Sequence, residues 1–396
     1  MRKINLILIV SLFYALCSKA QDPFFTHFHG AESIYNPAMT GIKGSRSLTT
    51  KYKSQWETST IAPFQTGLIA YEESLPCLPI DYGASFLFDQ EGDGRLRTHD
   101  FSLKFAGGPS FAPRYGKSLS HFRLGLNFQF GYSQIDFSRL VFSDQLDPKY
   151  GTVDANGNPN PTSFAPPNDG QSLTYFAPAV GFVFQHLTST RSPKASSFQF
   201  GAAFLNAYSL GRPRNGNSNS LLGLNVDLPE RYNAFVRFDF VPVNYKNRYY
   251  LSLSPSAFYQ RQGDLSYWEG GLRIGLSRLI STGLYYHSSF SQPSGANTKW
   301  MTFNLEMGEV LRDYSGRVDV GTSFSWNQSG LKNFAGPTFE LTLTYHWAKS
   351  VFCRSFGKGD AYPGNKQNKS DCPYWSFSNA RKRIYENIWY KTLNKN

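Results

Sequence analysis

Long apolar runs are what this chain most plainly lacks. Past the first twenty residues nothing approaches the roughly 18 consecutive apolar residues that a membrane helix needs, so a helical membrane protein is excluded. Cysteine is scarce as well, at four in 396 residues, which rules out a scaffold stapled throughout by disulfides. Charged residues reach only 17% and hydrophobic residues 40%, so neither a highly charged disordered chain nor a large aliphatic core describes it. Aromatic residues are abundant instead, at 16%, more than a soluble core needs. If such a chain spans a bilayer it does so with strands, because only helices and closed barrels satisfy their own backbone hydrogen bonds in lipid.

The stretch Pro337 to Trp347 shows the character of those strands. Phe339, Leu341, Leu343, Tyr345 and Trp347 alternate with Thr338, Glu340, Thr342, Thr344 and His346, a strict period of two with one apolar and one wet face. The apolar face ends in Tyr and Trp, as strands of outer-membrane barrels do where they meet the lipid headgroups. A large soluble all-β protein is the competing class.

Residues 1–20 read as a signal peptide: Arg2 and Lys3, an apolar run from Ile4 to Leu16, then Ser18-Lys19-Ala20 before Gln21. Cys17 follows the bulky Leu16, which argues against lipidation. Loss of this leader would leave a net charge of about +9 of the +12. Residues 21–45 are not strand-like, and Asn36-Pro37 with Gly41 suggests a folded piece on the periplasmic side, in the barrel mouth or as a plug. His27 and His29 lack a third ligand at useful spacing and read as an ordinary histidine pair.

From Arg46 to about residue 350 the sequence predicts an antiparallel transmembrane barrel of about 14 strands, at 46–56, 64–75, 81–90, 95–106, 121–135, 173–187, 197–208, 231–243, 247–262, 265–276, 278–288, 298–311, 316–326 and 337–348. In the fifth, Phe122, Leu124, Leu126, Phe128, Phe130 and Tyr132 share one face, with Arg123, Asn127 and Gln129 opposite. Val318, Val320, Phe324 and Trp326 likewise oppose Arg317, Asp319, Ser323 and Ser325 in the thirteenth. So polar an inner face predicts water or a polar plug. With a periplasmic N-terminus, the long connections 136–172 and 209–230 fall outside and the connections on the other side are mostly short, as in such barrels. Asp144, Asp147 and Asp154 with Asn156 and Asn158 make a loose calcium-like loop, but Pro159 and the missing bidentate Glu break it. Asp89 to Gly94 reads as a glycine hairpin.

The tail, residues 351–396, carries nine Lys or Arg against three Asp or Glu and is predicted to lie in the periplasm. Ser378 caps a short helix in which Ala380, Ile384 and Ile388 form a stripe flanked by Tyr385 and Trp389, beside Arg381, Lys382 and Arg383. This is a solvated or lipid-surface helix, or else a docking element for a periplasmic partner. Cys77, Cys353 and Cys372 all fall on the periplasmic side, where a Cys353–Cys372 bridge would stabilise the tail by about 3 kcal/mol and leave Cys77 over or competing.

Gln21-Asp22-Pro23, Asn36-Pro37-Ala38 with Gly41, Tyr52-x-x-Gln55-Trp56, Phe64-x-Thr66 and the Asp89–Gly94 turn, in that order, resemble the PorP/SprF family of the type IX secretion and gliding machinery. Lys53 stands where the family pattern has arginine, and the tail is longer than the minimal family pattern. The resemblance implies a non-enzymatic barrel in the outer membrane of a Bacteroidota bacterium, without cofactor. It implies a part in exporting or anchoring adhesins with a C-terminal sorting domain. It also implies contacts with a periplasmic ring lipoprotein and its partner, and with a peptidoglycan-binding protein.

Two other classes compete. Inward Arg123, Arg237, Arg273 and Arg317 would suit an anion-selective, porin-like channel unless carboxylates such as Asp100, Asp239 or Asp319 pair with them. His287-Ser288-Ser289 offers a hydrolase little, since no nucleophile elbow surrounds it. The pI near 9.4 would suit a polyanion, but an exported chain does not meet nucleic acid.

Overall fold

The computed structural model describes residues 22–347 apart from 27, 29, 44–45, 57–62, 76–79, 93–95, 112–117, 166–171, 189–195, 208–228, 245–249, 277–278, 292–296, 311–315 and 329–335. The signal peptide, His27, His29, Cys77 and the whole tail, with Cys353, Cys372 and the residues from Arg381 to Trp389, lie outside the described residues.

The wall consists of β1 (Arg46–Gln55), β2 (Phe64–Glu73), β3 (Ile80–Glu91), β4 (Leu96–Gly107), β6 (Leu119–Gln134), β7 (Ser172–Leu187), β8 (Ser197–Leu205), β9 (Arg231–Asn244), β10 (Tyr250–Gln262), β11 (Leu265–Leu276), β12 (Ile280–Ser291), β13 (Asn297–Val310), β14 (Gly316–Asn327) and β15 (Thr338–Trp347). The two-residue β5 (Ser110–Phe111) pairs with β6 among the described residues, and β6 itself pairs with β4. Each wall strand runs antiparallel to its neighbours, and the last closes on the first from Arg46 opposite Trp347 to Gln55 opposite Thr338. The result is a closed barrel of fourteen strands with no free edge. The strand ends fall within three residues of those expected from the alternation.

The alternation sorts side chains as lipid requires. On β6, Leu124, Leu126, Phe128, Phe130 and Tyr132 are exposed on the outer face, whereas His121, Arg123, Asn127 and Ser133 are buried inside. On β15, Phe339, Leu341 and Leu343 point out, and Glu340, Thr344 and His346 point in. Lipid on one side and a filled interior on the other enforce this period, since a slip of one residue would put every charge in hydrocarbon. The rim carrying Arg46 and Trp347 is the near rim, and the opposite one, with Gln55 and Thr338, is the far rim. Both long connections, between β6 and β7 and between β8 and β9, leave from the far rim.

The interior differs from the polar surface the sequence suggests. Val183, Phe235, Phe258 and Tyr267 point inward and pack with Phe28, Tyr35, Ala38 and Met39 in one apolar cluster. A second cluster joins Phe25 and Ala31 to Leu68, Ala70 and Leu87. Each cluster combines wall residues with residues of the segment preceding β1, so that segment lies inside the barrel and supplies six of the thirteen residues of these two clusters. It reaches further than a piece at the mouth or on the near side would.

Candidate functional site

The luminal segment begins at Asp22, bends through a single helical turn, α1 (Glu32–Tyr35), then a 3-10 turn at Pro37–Met39, and passes into β1 beyond Lys43. Asn36 nucleates the second turn: its side-chain oxygen accepts from the Ala38 N–H at 3.0 Å while Pro37 supplies the fixed φ of a first helical position. The Asn36 amide also donates to the Phe182 and Ala202 carbonyls at 3.0 and 3.1 Å, tying the turn to β7 and β8.

This turn fits a notch in the wall. Gly125 on β6 and Gly181 on β7 stand directly opposite each other in register. A Cβ at Gly125 would lie 2.1 Å from the Ala38 nitrogen, and one at Gly181 would lie 2.1 Å from Asn36 Oδ1. Only glycine lets the two backbones approach this closely.

Arg123, one pleat from the notch, locks the turn. Its guanidinium donates to the Ala38 carbonyl at 2.9 Å, to the Thr40 carbonyl, and to the Asp81 carboxylate at 2.7 Å. Both members of the ion pair are buried, at 2% and 0% exposure. Gly41 then takes a φ of +68°, with its N–H on Glu72 at 3.1 Å, and the chain leaves toward β1.

The upper part of the segment is held by charge and by rings. Lys53 donates to the Phe24 carbonyl at 2.7 Å and lies 4.7 Å over the Phe24 ring, while Lys51 lies 4.7 Å over Phe25 and pairs with Glu340 at 3.2 Å. Glu340 in turn accepts from the Thr26 N–H. The Tyr35 hydroxyl meets both the N–H and the carbonyl of Phe25, at 2.8 and 2.9 Å. Phe28 stacks 5.0 Å from Phe258. Asn233 donates to the Tyr35 carbonyl at 2.8 Å, and Lys104 to the Ser33 hydroxyl at 3.2 Å.

The motif residues separate into two places. Asn36, Pro37 and Gly41 sit in the lumen, whereas Tyr52 and Trp56 lie on the outer face toward the far rim, 43% and 38% exposed. Trp56 packs 5.3 Å from Phe64, and Gln55 faces Phe64 and Thr338 in the ladder. The wall side of the luminal site, Arg123, Gly125, Gly181, Phe235, Phe258 and Tyr267, is absent from the motif. One sequence signal points to it: Phe235 occupies an inward position between Asn233 and Arg237, and Phe258 one between Ser256 and Gln260, where the barrel pattern calls for polar residues.

The four arginines expected to face inward all have carboxylate partners. Besides the Arg123–Asp81 pair, Arg237 meets Glu32 at 3.7 Å and Asp239 at 3.8 Å, Arg273 meets Glu306 at 3.2 Å, and Arg317 meets Asp319 at 2.6 Å. Asp100 instead accepts from the Tyr175 hydroxyl. His287 bonds Tyr267 at 2.8 Å and stacks on Trp300, and Ser288, the next residue on the strand, faces the other side of the sheet.

On the far side, residues 136–165 form a self-bonded structure. Asp147 accepts from the N–H groups of Lys149 and Tyr150 at 2.7 and 2.8 Å, Asp154 from those of Asn156 and Asn158 at 2.8 and 2.9 Å, and Asp144 from Ser163 and Thr162. Asp147 and Asp154 thus each cap a turn of the chain, and Asp144 ties Thr162 and Ser163 back to the start of the loop. Backbone and hydroxyl donation from Ser163 holds Asp144 below the usual carboxylate range, and the Asn158 N–H does the same for Asp154.

No curated protein matches the sequence. Among solved structures the chain is similar to the CymD monoaromatic hydrocarbon channel (10% identity, 81% of this chain and 93% of that one, TM-score 0.39) and to the toluene transporter TbuX of Ralstonia pickettii (9%, 80% and 93%, 0.39). It is also similar to the outer membrane protein Omp33 of Acinetobacter baumannii (7%, 76% and 99%, 0.35). Likeness at this level says nothing of what this chain carries. The sequence model that does match covers residues 17–345 and describes a type IX secretion system membrane protein, PorP/SprF, and the chain belongs to that family as a β-barrel of the outer membrane.

Proposed function

We propose that this chain is a closed anchor in the type IX secretion machinery: its far-side connections hold an exported surface protein, and its near side holds the machine. The observation that carries this reading is the luminal segment, which two apolar clusters and buried ion pairs hold against the barrel wall, and which in this reading leaves an exported protein no path through the barrel. A barrel that does not pass its client can still retain it. The ordered 136–165 structure supports a retaining role, because Val141, Leu146 and Tyr150 are exposed there, outside the lipid-facing strands. In this reading the far rim is the cell exterior, as the two long connections suggest. The exported proteins are adhesins with a C-terminal sorting domain, as the family resemblance implies. The machine side comprises a periplasmic ring lipoprotein with its partner and a peptidoglycan-binding protein. The basic residues 351–396, with Arg381, Lys382, Arg383, Ile384, Ile388 and Trp389, are the contact proposed for them, braced by a Cys353–Cys372 bridge. The role is non-enzymatic, and the anion-channel alternative loses ground because its four arginines are already paired.

Affinity purification from mildly solubilised outer membranes tests this. The full chain should retain machinery proteins and a large surface protein. Removal of Val351 to Asn396 should leave the barrel inserted and the surface protein bound while the machinery proteins are lost. Equal recovery of both from the truncated chain would overturn the proposed role of the tail.

A further inference from the structure

The luminal segment joins β1 at the near rim, yet its first described residue is at the far rim. Asp22 pairs with Arg231 at 3.1 Å, accepts from the Asn206 amide at 2.8 Å, and donates its N–H to Gln262 Oε1 at 3.1 Å. Arg231 opens β9, Asn206 follows the last residue of β8, and Gln262 closes β10, so all three partners mark the far rim. Phe24 meets Lys53, two residues from the far end of β1, and Thr26 meets Glu340, two residues into β15. Tyr35 still meets Asn233, two residues into β9 from the far rim, whereas Ser33 meets Lys104, three residues from the near end of β4, Ala38 meets Arg123, four residues from the near end of β6, and Gly41 meets Glu72 beside the near rim. Ten residues of strand cover about 33 Å along their axis, and the residues from Asp22 to Lys43 are ample for that height even with two turns included.

We infer that the segment threads the whole barrel and delivers the N-terminal end to the far mouth. Whatever precedes Asp22 leaves on the same side as the connections between β6 and β7 and between β8 and β9, away from the side where β1 begins. The far-mouth clamp is itself built for retention. Arg231 is buried, at 4% exposure, and faces a carboxylate whose main chain is fixed by a second side chain. Only the naming of the far face as exterior rests on the proposed function.

An epitope placed between Gln21 and Asp22 of the full chain tests the threading, with the same epitope inserted in separate chains at 329–335 and at 311–315 as references for the two rims. Antibody binding is compared on intact cells and after outer-membrane permeabilisation. The N-terminal epitope is expected to behave as the 329–335 epitope does, labelled on intact cells, while the 311–315 epitope needs permeabilisation. If the N-terminal epitope instead follows the 311–315 reference, the threading is overturned. If the two references exchange places, the assigned orientation fails, and an N-terminal epitope that still follows 329–335 upholds the threading. A second measurement does not depend on an insertion. With Cys77, Cys353 and Cys372 replaced by Ser, a short bifunctional maleimide should link Asp22→Cys to Gln262→Cys and leave Asp22→Cys with Glu72→Cys unlinked. The reverse pattern overturns the inference.

Discussion

At Arg123 a single side chain ties three parts of the molecule together: its own strand β6, Asp81 on β3, and the Ala38 and Thr40 carbonyls of the luminal turn. Removing one partner of a buried pair leaves the other charge uncompensated, so Arg123→Met should destabilise the barrel by about 3–5 kcal/mol. Adding Asp81→Asn removes that charge and keeps an acceptor for the Leu75 N–H, which Asp81 binds at 2.9 Å. The double variant should therefore regain much of the loss in a thermal unfolding series, and purely additive losses would show that the pair is not coupled. The glycine notch makes a second residue-scale prediction. Gly181→Ala overpacks Asn36 and should cost about 1–3 kcal/mol. Gly270→Ala, whose Cβ would meet only a ring atom of Trp268 at 3.7 Å, should leave unfolding unchanged. The motif residues Asn36 and Gly41 are visible in the sequence, but their wall partners are not. Arg123, Gly125 and Gly181 lie eighty or more residues away, on strands whose periodicity looks like that of the rest of the barrel wall.

At the scale of elements, the wall strands were legible because two solvents act on each of them, and a period of two is the only pattern that satisfies both. β6 and β14 show this most clearly, with Arg123, Asn127, Arg317 and Asp319 inside and Leu124, Phe128, Val320 and Phe324 outside. The luminal segment escapes such reading because it is surrounded by protein on all sides and repeats nothing. The structure at 136–165 escapes it for another reason: its order comes from side chain to backbone bonds such as those of Asp144, Asp147 and Asp154, which the same residues could make with water or with a cation. These bonds give that loop a pH dependence of its own. Because the folded loop holds Asp144 below its ordinary range, the stabilisation is fully present above the unfolded carboxylate range and is lost as pH falls through the lowered value. Amide exchange at Ser163 should accelerate over that acid range while the wall strands stay protected. Asp144→Asn should exchange faster at neutral pH and lose the acid transition; an acid transition that survives the substitution would assign it to another group.

At the scale of the whole molecule, fourteen strands enclose more room than their own side chains fill, and what occupies that room decides whether the barrel conducts. Here the occupant is the segment from Asp22 to Lys43, seated by the Gly125 and Gly181 notch, clamped by Arg123, and pinned at the far rim by Arg231. Wall side chains also grip its main chain, as Lys53, Asn233 and Arg123 do, so its hold does not depend on apolar packing alone. The full chain in a planar bilayer should therefore pass little current at any salt concentration. A variant lacking residues 22–43 keeps the strands and their closing pair of β1 with β15 but exposes Lys51, Lys53, Arg231 and Arg237 to the lumen without Asp22 and Glu32. It should conduct steadily and favour anions, because the segment removes more acid than base from the lumen wall when it leaves. Steady current through the full chain would place the path in the barrel itself and the retaining role in doubt, whereas current that appears only on deletion identifies the segment as the closure.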